Sequence, residues 1–194
     1  MSARLVLGIA GSPRRGGNSD VMLDAALTGA EEAGARVERI VASQAGISPC
    51  RACHACSRDG RCIQTDGMVE VYTLLDAADA IVVATPVFFA SVPATLKALL
   101  DRCQPYWARR YVLHEPAREK RPGALLVAAG GGDPYGHSCA EAPVRSALAV
   151  AGFKIDDVVV AEPVDAARDV LAKPEVIEEC RALGARLGSS GAGT

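Results

Sequence analysis

Five short runs of apolar, largely β-branched residues, each followed by a longer amphipathic stretch, constrain this chain more than any other feature. The runs cover residues 5–10, 37–42, 80–85, 124–129 and 156–161. They lack the apolar–polar alternation of a strand with one wet face, as expected of strands covered on both sides. Helical periodicity fills the intervals near 19–33, 68–78, 92–104, 138–151 and 175–187. Strand–helix alternation repeated five times predicts an α/β fold: a doubly wound, five-stranded parallel sheet in the order 2-1-3-4-5, with helices on both faces. Asn18 or Ser19 is placed to cap the first helix, Gly34 and Gly152 to end helices, and Pro105 to stop the one beginning near Pro93.

The 194 residues suit a single domain. We expect it to span residues 1–187, with a cysteine-rich loop at 43–66, followed by a frayed Gly/Ser/Ala tail at 188–194. With 49% hydrophobic residues and a formal charge of −2, the chain is neither disordered nor dominated by one sign of charge. Nothing in it points to nucleic acid or to a membrane surface. No segment is long enough to span a bilayer, and the apolar start is too short for a signal peptide, so a cytoplasmic protein is expected.

The first strand runs into Gly11-Ser12-Pro13-Arg14-Arg15-Gly16-Gly17-Asn18-Ser19 and then a helix. This is neither a Walker A loop nor GxGxxG, yet its chemistry suits an anion. The glycines allow close backbone approach. Ser12, Asn18 and Ser19 supply neutral donors and Arg14 a charged fork, and the helix N-terminus adds free N–H groups. With no Lys for outer phosphates and no evident magnesium carboxylate, a monophosphate ester fits better than a triphosphate.

In the predicted strand order the loops after strands 1, 3 and 4 meet at one edge, where doubly wound sheets bind ligands. The third strand ends in Pro86-Val87-Phe88-Phe89-Ala90-Ser91-Val92-Pro93, and the fourth in Ala129-Gly130-Gly131-Gly132-Asp133. Pro86 stiffens its loop, and Phe88 or Phe89 can lie along a flat ring, with at least one of them expected in the core. Backbone amides of Val87 to Phe89 are placed to reach polar ring atoms, and the glycines let backbone approach the ring.

These stretches, with Ala94-Thr95-Leu96-Lys97 and Asp101-Arg102, resemble the NAD(P)H-dependent FMN reductase superfamily in order and spacing over about the first 130 residues. The resemblance implies a flavodoxin-like fold and FMN. It puts Ser12, Arg14, Gly17, Asn18 and Ser19 on the phosphate, and Pro86, Val87, Phe88, Phe89, Gly130, Gly131 and Gly132 near the isoalloxazine.

Four of the seven cysteines crowd into thirteen residues, Cys50, Cys53, Cys56 and Cys62, spaced C-x2-C-x2-C-x5-C. Three thiolates at intervals of three suit one face of a cubane and a fourth closes it, whereas structural zinc more often uses two separated pairs. Free thiols or a labile metal site remain open alternatives. The spacing is similar to that of the iron–sulfur flavoprotein branch, which implies a [4Fe–4S] cluster on Cys50, Cys53, Cys56 and Cys62, its charge partly offset by Arg51, Arg58 and Arg61. Gln64-Thr65-Asp66-Gly67-Met68 resembles that branch's Asp-Asp-Met stretch, with Gly67 a departure. His54 is expected to be exposed, and Cys103, Cys139 and Cys180 to be buried.

No Ser/His/Asp constellation stands out, no acid–base residue is evident, and His137 reads as a surface-loop histidine. The first expectation is an iron–sulfur flavoprotein coupling two-electron flavin chemistry to one-electron transfer. Its donor would be NAD(P)H or ferredoxin, its acceptor a quinone or an oxygen species. A cluster-free NAD(P)H-dependent FMN or quinone reductase and a non-enzymatic flavodoxin-like carrier or redox sensor are the alternatives. The stretch 107–121, rich in arginines and aromatics, is read as a long loop, solvated or against a partner subunit; relatives imply a homodimer or homotetramer.

Overall fold

A computed structural model describes residues 3–189. The strands β1 (Leu5–Ala10), β2 (Arg36–Val41), β3 (Ala80–Pro86), β4 (Arg121–Ala128) and β5 (Phe153–Ala161) form one sheet. Every pairing is parallel and the order is β2-β1-β3-β4-β5, as the alternation predicts. The helices are α1 (Asn18–Glu32), α2 (Cys56–Asp59), α3 (Met68–Ala77), α4 (Ala94–Asp101), α5 (Gln104–Tyr111), α6 (Ser138–Val150) and α7 (Pro174–Gly188), with a 3-10 turn at Asp169–Ala172. Among the described residues no helix is long and apolar enough to cross a membrane.

The central strands are dry on both faces, which is why their sequences do not alternate. Leu7, Ile9, Ile81, Val83 and Leu125 pack with α3, α4 and α6. Val6, Val82, Ala84 and Leu126 pack with α1 and α7 on the other face. Each of the Val, Leu and Ile side chains contributes about 1.5–3 kcal/mol. A Cβ on Gly184 would lie 1.7 Å from Ala26 O, and one on Gly29 2.0 Å from Arg181 O. The backbones of α1 and α7 therefore touch, and no larger residue fits at either position.

Arg121 organises the start of β4. Its Nη1 donates to Leu75 O (2.9 Å) and Ala78 O (2.7 Å), its Nη2 to Ala151 O (2.9 Å). These are carbonyls left over where α3 and α6 end. The guanidinium also lies 3.9 Å over the Phe153 ring. This residue, at the end of the stretch read as a long loop, is thus part of the frame.

Several local expectations are corrected. Neither Asn18 nor Ser19 caps α1; Gly17 holds that position without a side-chain bond. Residues 107–111 of the expected loop are helical, part of α5, because Pro105 falls in the first turn of that helix, where its missing N–H costs nothing. Strand β5 begins at Phe153, before the predicted 156; a register shift opposite Gly123/Ala124 skips Asp156 and interrupts the pattern. Gly34 and Gly152 do follow α1 and α6, at φ 89° and 91°. Helix α7 continues to Gly188, and residues 190–194 of the expected tail lie outside the described residues.

Candidate functional site

Because β1, β3 and β4 are neighbours, the loops at their carboxyl ends meet. Ser12, Arg14, Gly17, Asn18 and Ser19 from the first loop share one groove with Pro86, Val87 and Phe88 from the second and Gly130 from the third. Val164 and Asp165, from the loop after β5, close it; no sequence pattern marks them.

One end of the groove is the N-terminus of α1. Its first helical bond runs from Val21 N–H to Gly17 O (3.0 Å), which leaves the N–H groups of Asn18, Ser19 and Asp20 for an anion. The Asp20 carboxylate does not oppose this, being taken up by Gly16 N–H (2.7 Å) and Arg39. Ser12 Oγ is buried and accepts Arg14 N–H (3.1 Å), while the Arg14 side chain is exposed at the rim. Asn18 departs from its expected role. Its Nδ2 donates to Ala166 O (2.9 Å) and its Oδ1 accepts Val170 N–H (3.1 Å). The side chain pins the loop after β5, and what Asn18 offers an anion is its main-chain N–H.

The opposite end is the turn after β3. Val87 N–H donates to Ala128 O (3.0 Å) and Phe88 N–H to Ser91 O (2.8 Å). Of the three amides expected to face a ring, Phe89 N–H is the one without a described partner. Phe88 and Phe89 are 46% and 101% exposed, so neither packs in the core. The backbone turns sharply at this point: Phe89 and Ala90 are left-handed, φ 47° and 55°. Such strain costs about 1–3 kcal/mol per residue and gathers at functional sites. Asp133 holds the turn by accepting Ala90 N–H (3.2 Å). Gly131 and Gly132, both at φ 82°, continue the third loop beyond the groove lining. His137 is half-buried, its Nδ1 3.5 Å from the Glu162 carboxylate.

The cysteine loop forms a second concavity. Cys50, Cys53, Cys56 and Cys62 all line one cavity of about 280 Å3, walled by Ile63, Pro105 and Trp107. Among the described residues, no three His, Cys, Asp or Glu side chains converge closely enough to hold a single ion. Four thiols around one concavity, with no three of them close enough for a single ion, suit a polynuclear group. Ala52 and His54 are left-handed, φ 49° and 56°, and no N–H from Arg51 to Ala55 donates to a described residue. Successive free N–H groups on such backbone make a nest for an anion, iron–sulfur clusters included. Burial, then the neighbouring thiolates of Cys62, Cys50 and Cys53, push the Cys56 thiol up, and binding a metal ion there would require that proton to leave.

Arg51, Arg58, Arg61 and His54 are exposed. The buried cation is Arg102, 1% exposed, on the cavity wall. Its Nη1 donates to Ser48 O (2.7 Å) and Asp66 Oδ2 (2.7 Å), its Nη2 to Asp66 Oδ1 (3.1 Å) and Gln64 O (3.5 Å). Ser48 and Gln64 flank the cysteine run, so one guanidinium clasps both its ends. Asp66 also accepts Ser48 N–H (2.9 Å) and Met68 N–H (3.1 Å). The Arg102 bond holds its carboxyl down at about 2, with the two backbone bonds assisting against burial. Gly67 has no room for a side chain: a Cβ would lie 1.5 Å from Ala45 O. Of the other thiols, Cys103 and Cys180 are buried as expected, whereas Cys139 is half-exposed.

The sequence pattern of the family described as NADPH-dependent FMN reductase matches residues 5–163. The chain belongs to that family. An iron–sulfur flavoprotein of Archaeoglobus fulgidus is 40% identical over 129 residues, 66% of this chain and 56% of that protein. One of Methanosarcina thermophila is 43% identical over 97 residues, 50% of this chain and 51% of that protein. The chain thus spans about half the length of these curated relatives. An NAD(P)H:quinone oxidoreductase from Methanothermobacter marburgensis shares the fold, with TM-score 0.68 and 20% identity over 96% of this chain and all of that one.

The groove fits what the FMN reductase family binds: a phosphate end of main-chain N–H groups, and a turn presenting Phe88 and one free amide. The second cavity fits a thiolate-held cluster in its donor set and in its unpaired N–H groups. Val164 and Asp165 escape a reading of motifs, and Arg102 and Trp107, though they fall in stretches the sequence singles out, carry no sign there of lining the cysteine cavity. An arginine three positions beyond Leu99, in step with the buried Leu96 and Leu99 of an amphipathic helix, is the signal that could have found Arg102.

Proposed function

We propose that this chain is an FMN-dependent oxidoreductase of the iron–sulfur flavoprotein kind, taking electrons from NAD(P)H or ferredoxin and passing them to a quinone or an oxygen species. The observation that carries this is the gathering of Cys50, Cys53, Cys56 and Cys62 around one cavity in a chain whose three sheet-edge loops build a phosphate-and-ring groove. When bound, FMN exchanges electrons in pairs or singly and a [4Fe–4S] cluster carries them one at a time.

The chain's own part is to bind and orient. The N–H groups of Asn18 and Ser19, with Ser12 Oγ and Arg14, take the phosphate. Asp165 stands at the groove where hydroxyls of the sugar chain need an acceptor. Phe88 and Phe89 N–H border the ring. Helix α4 connects the two sites: it follows the Phe88 turn, spans about 12 Å at 1.5 Å per residue, and ends beside Arg102. The exposed Phe89 and Trp107 support assembly as a homodimer or homotetramer.

Anaerobic purification and reconstitution, with a visible spectrum and flavin, iron and sulfide assays, tests the reading. One FMN, four iron and four sulfide per chain are expected, and Cys56→Ser is expected to lose the iron. Flavin reduced by NAD(P)H without any iron would leave a cluster-free reductase, and absence of flavin would overturn the reading altogether.

A further inference from the structure

The Arg102 guanidinium has one N–H for which the chain provides nothing. Both Nη atoms are committed to Ser48 O, Gln64 O and Asp66, yet Nε is buried with no partner. A buried unsatisfied donor costs about 1–3 kcal/mol, more on a charged group, and such a group on a cavity wall calls for an acceptor from outside the chain. The side chain lies on the wall of the cysteine cavity. Cys62 lines the same cavity. No cysteine sulfur of the chain itself bonds the Nε, so its acceptor belongs to whatever fills the cavity on that side.

We infer that Arg102 is a positioning residue for the cluster: its Nη groups close the cysteine loop at Ser48 and Gln64, and its Nε–H donates to a sulfur of the bound cluster beside Cys62. This rests on the reading of the cavity as a cluster site. A buried cation and a hydrogen bond to sulfur both favour the more negative, reduced cluster and raise its potential. The exposed Arg51, Arg58 and Arg61 are screened by water and contribute little by comparison.

The test is potentiometric titration of the reconstituted protein followed by EPR. Arg102→Lys keeps the charge and a bond to Asp66 but has no Nε–H. The double variant Arg102→Gln/Asp66→Asn removes the pair together and leaves no lone buried charge. Both are expected to shift the cluster potential negative, by at least a tenfold change in the reduced-to-oxidised ratio, about 59 mV for one electron. Asp66→Asn alone keeps Nε–H and removes a negative charge, so its shift is expected to be positive. Mere loosening of the loop would move all three in one direction. Wild-type protein needs no variant for a second measurement: pulsed EPR is expected to detect a cluster-coupled N–H proton that survives transfer to D2O, as a buried donor's does. Loaded variants with unmoved potentials, or absence of that proton, would overturn this inference alone. Wild-type protein that takes up no iron or sulfide would overturn the cluster reading beneath it.

Discussion

Arg102 and Asp66 face each other fork to fork, Nη1 2.7 Å from one carboxylate oxygen and Nη2 3.1 Å from the other. Such bidentate pairs are the stronger kind of ion pair, and this one is largely withdrawn from water. Asp66 is held at about 2 in the fold, against an ordinary value near 3.9. Because the folded value is the lower, the pair contributes its full stability above about pH 4 and loses it as pH falls toward 2. Wild-type protein is therefore expected to lose stability through that window in urea titrations. Asp66→Asn is expected to be less stable at pH 7 by about 3 kcal/mol and to have a flatter dependence below pH 4. An unchanged slope would remove Asp66 from the account.

Gly67 is where the chain departs from the Asp-Asp-Met stretch it resembles. With Ala45 O 1.5 Å from the place a Cβ would take, restoring the acid by Gly67→Asp is expected to cost about 4 kcal/mol or more. Thermal melts would measure it. A neutral result would mean the segment before α3 shifts freely.

The groove makes a distinction between neighbours. Arg14 is exposed and its guanidinium has no hydrogen-bond or ion-pair partner among the described residues, so Arg14→Ala is expected to weaken FMN about tenfold, near 1.4 kcal/mol, with an unchanged melting temperature. Asn18 ties two loops together, so Asn18→Ala is expected to cost about 1–3 kcal/mol of stability. Flavin titration and thermal melts on both variants separate the roles, and the reverse pattern would refute them.

Thiol accessibility follows burial. In metal-free, reduced protein, alkylation near pH 8 counted by mass spectrometry is expected to label five of the seven cysteines. Cys103 and Cys180 stay protected, both buried and pushed up to about 12 by burial first, with nearby carboxylates assisting. Cys53, exposed, is expected to react first. Labelling of Cys103 in the folded protein would contradict the packing under α4.

Trp107 is the single tryptophan. It lines the cysteine cavity and stacks at a tilt 5.7 Å from Tyr111. Loading FMN-saturated protein with iron and sulfide is expected to quench its emission, and chelation to restore it. Identical emission in both states would place the metal elsewhere.

Most of the sheet was legible because β1, β3 and β4 are buried on both faces, and continuous apolar runs have few other meanings. The groove followed from strand order alone, since that order brings three loop ends together. What stayed hidden depended on distant partners. Asn18 reads as a cap until Ala166 and Val170, some 150 positions away, claim its side chain. Arg102 reads as a helix-end cation until Asp66 and two loop carbonyls draw it inside. Helix α5 and the start of β5 were obscured by single local events, a first-turn proline and a skipped residue.

The clasp on Ser48 and Gln64 also separates folding from metal capture. Zinc fingers fold only as their metal binds, because the ion itself must close the loop. Here a side chain closes it first, and the entropy of bringing the ends together is settled when the domain folds. On this reading the metal-free protein is expected to be folded already, its far-UV circular dichroism unchanged when iron and sulfide are added.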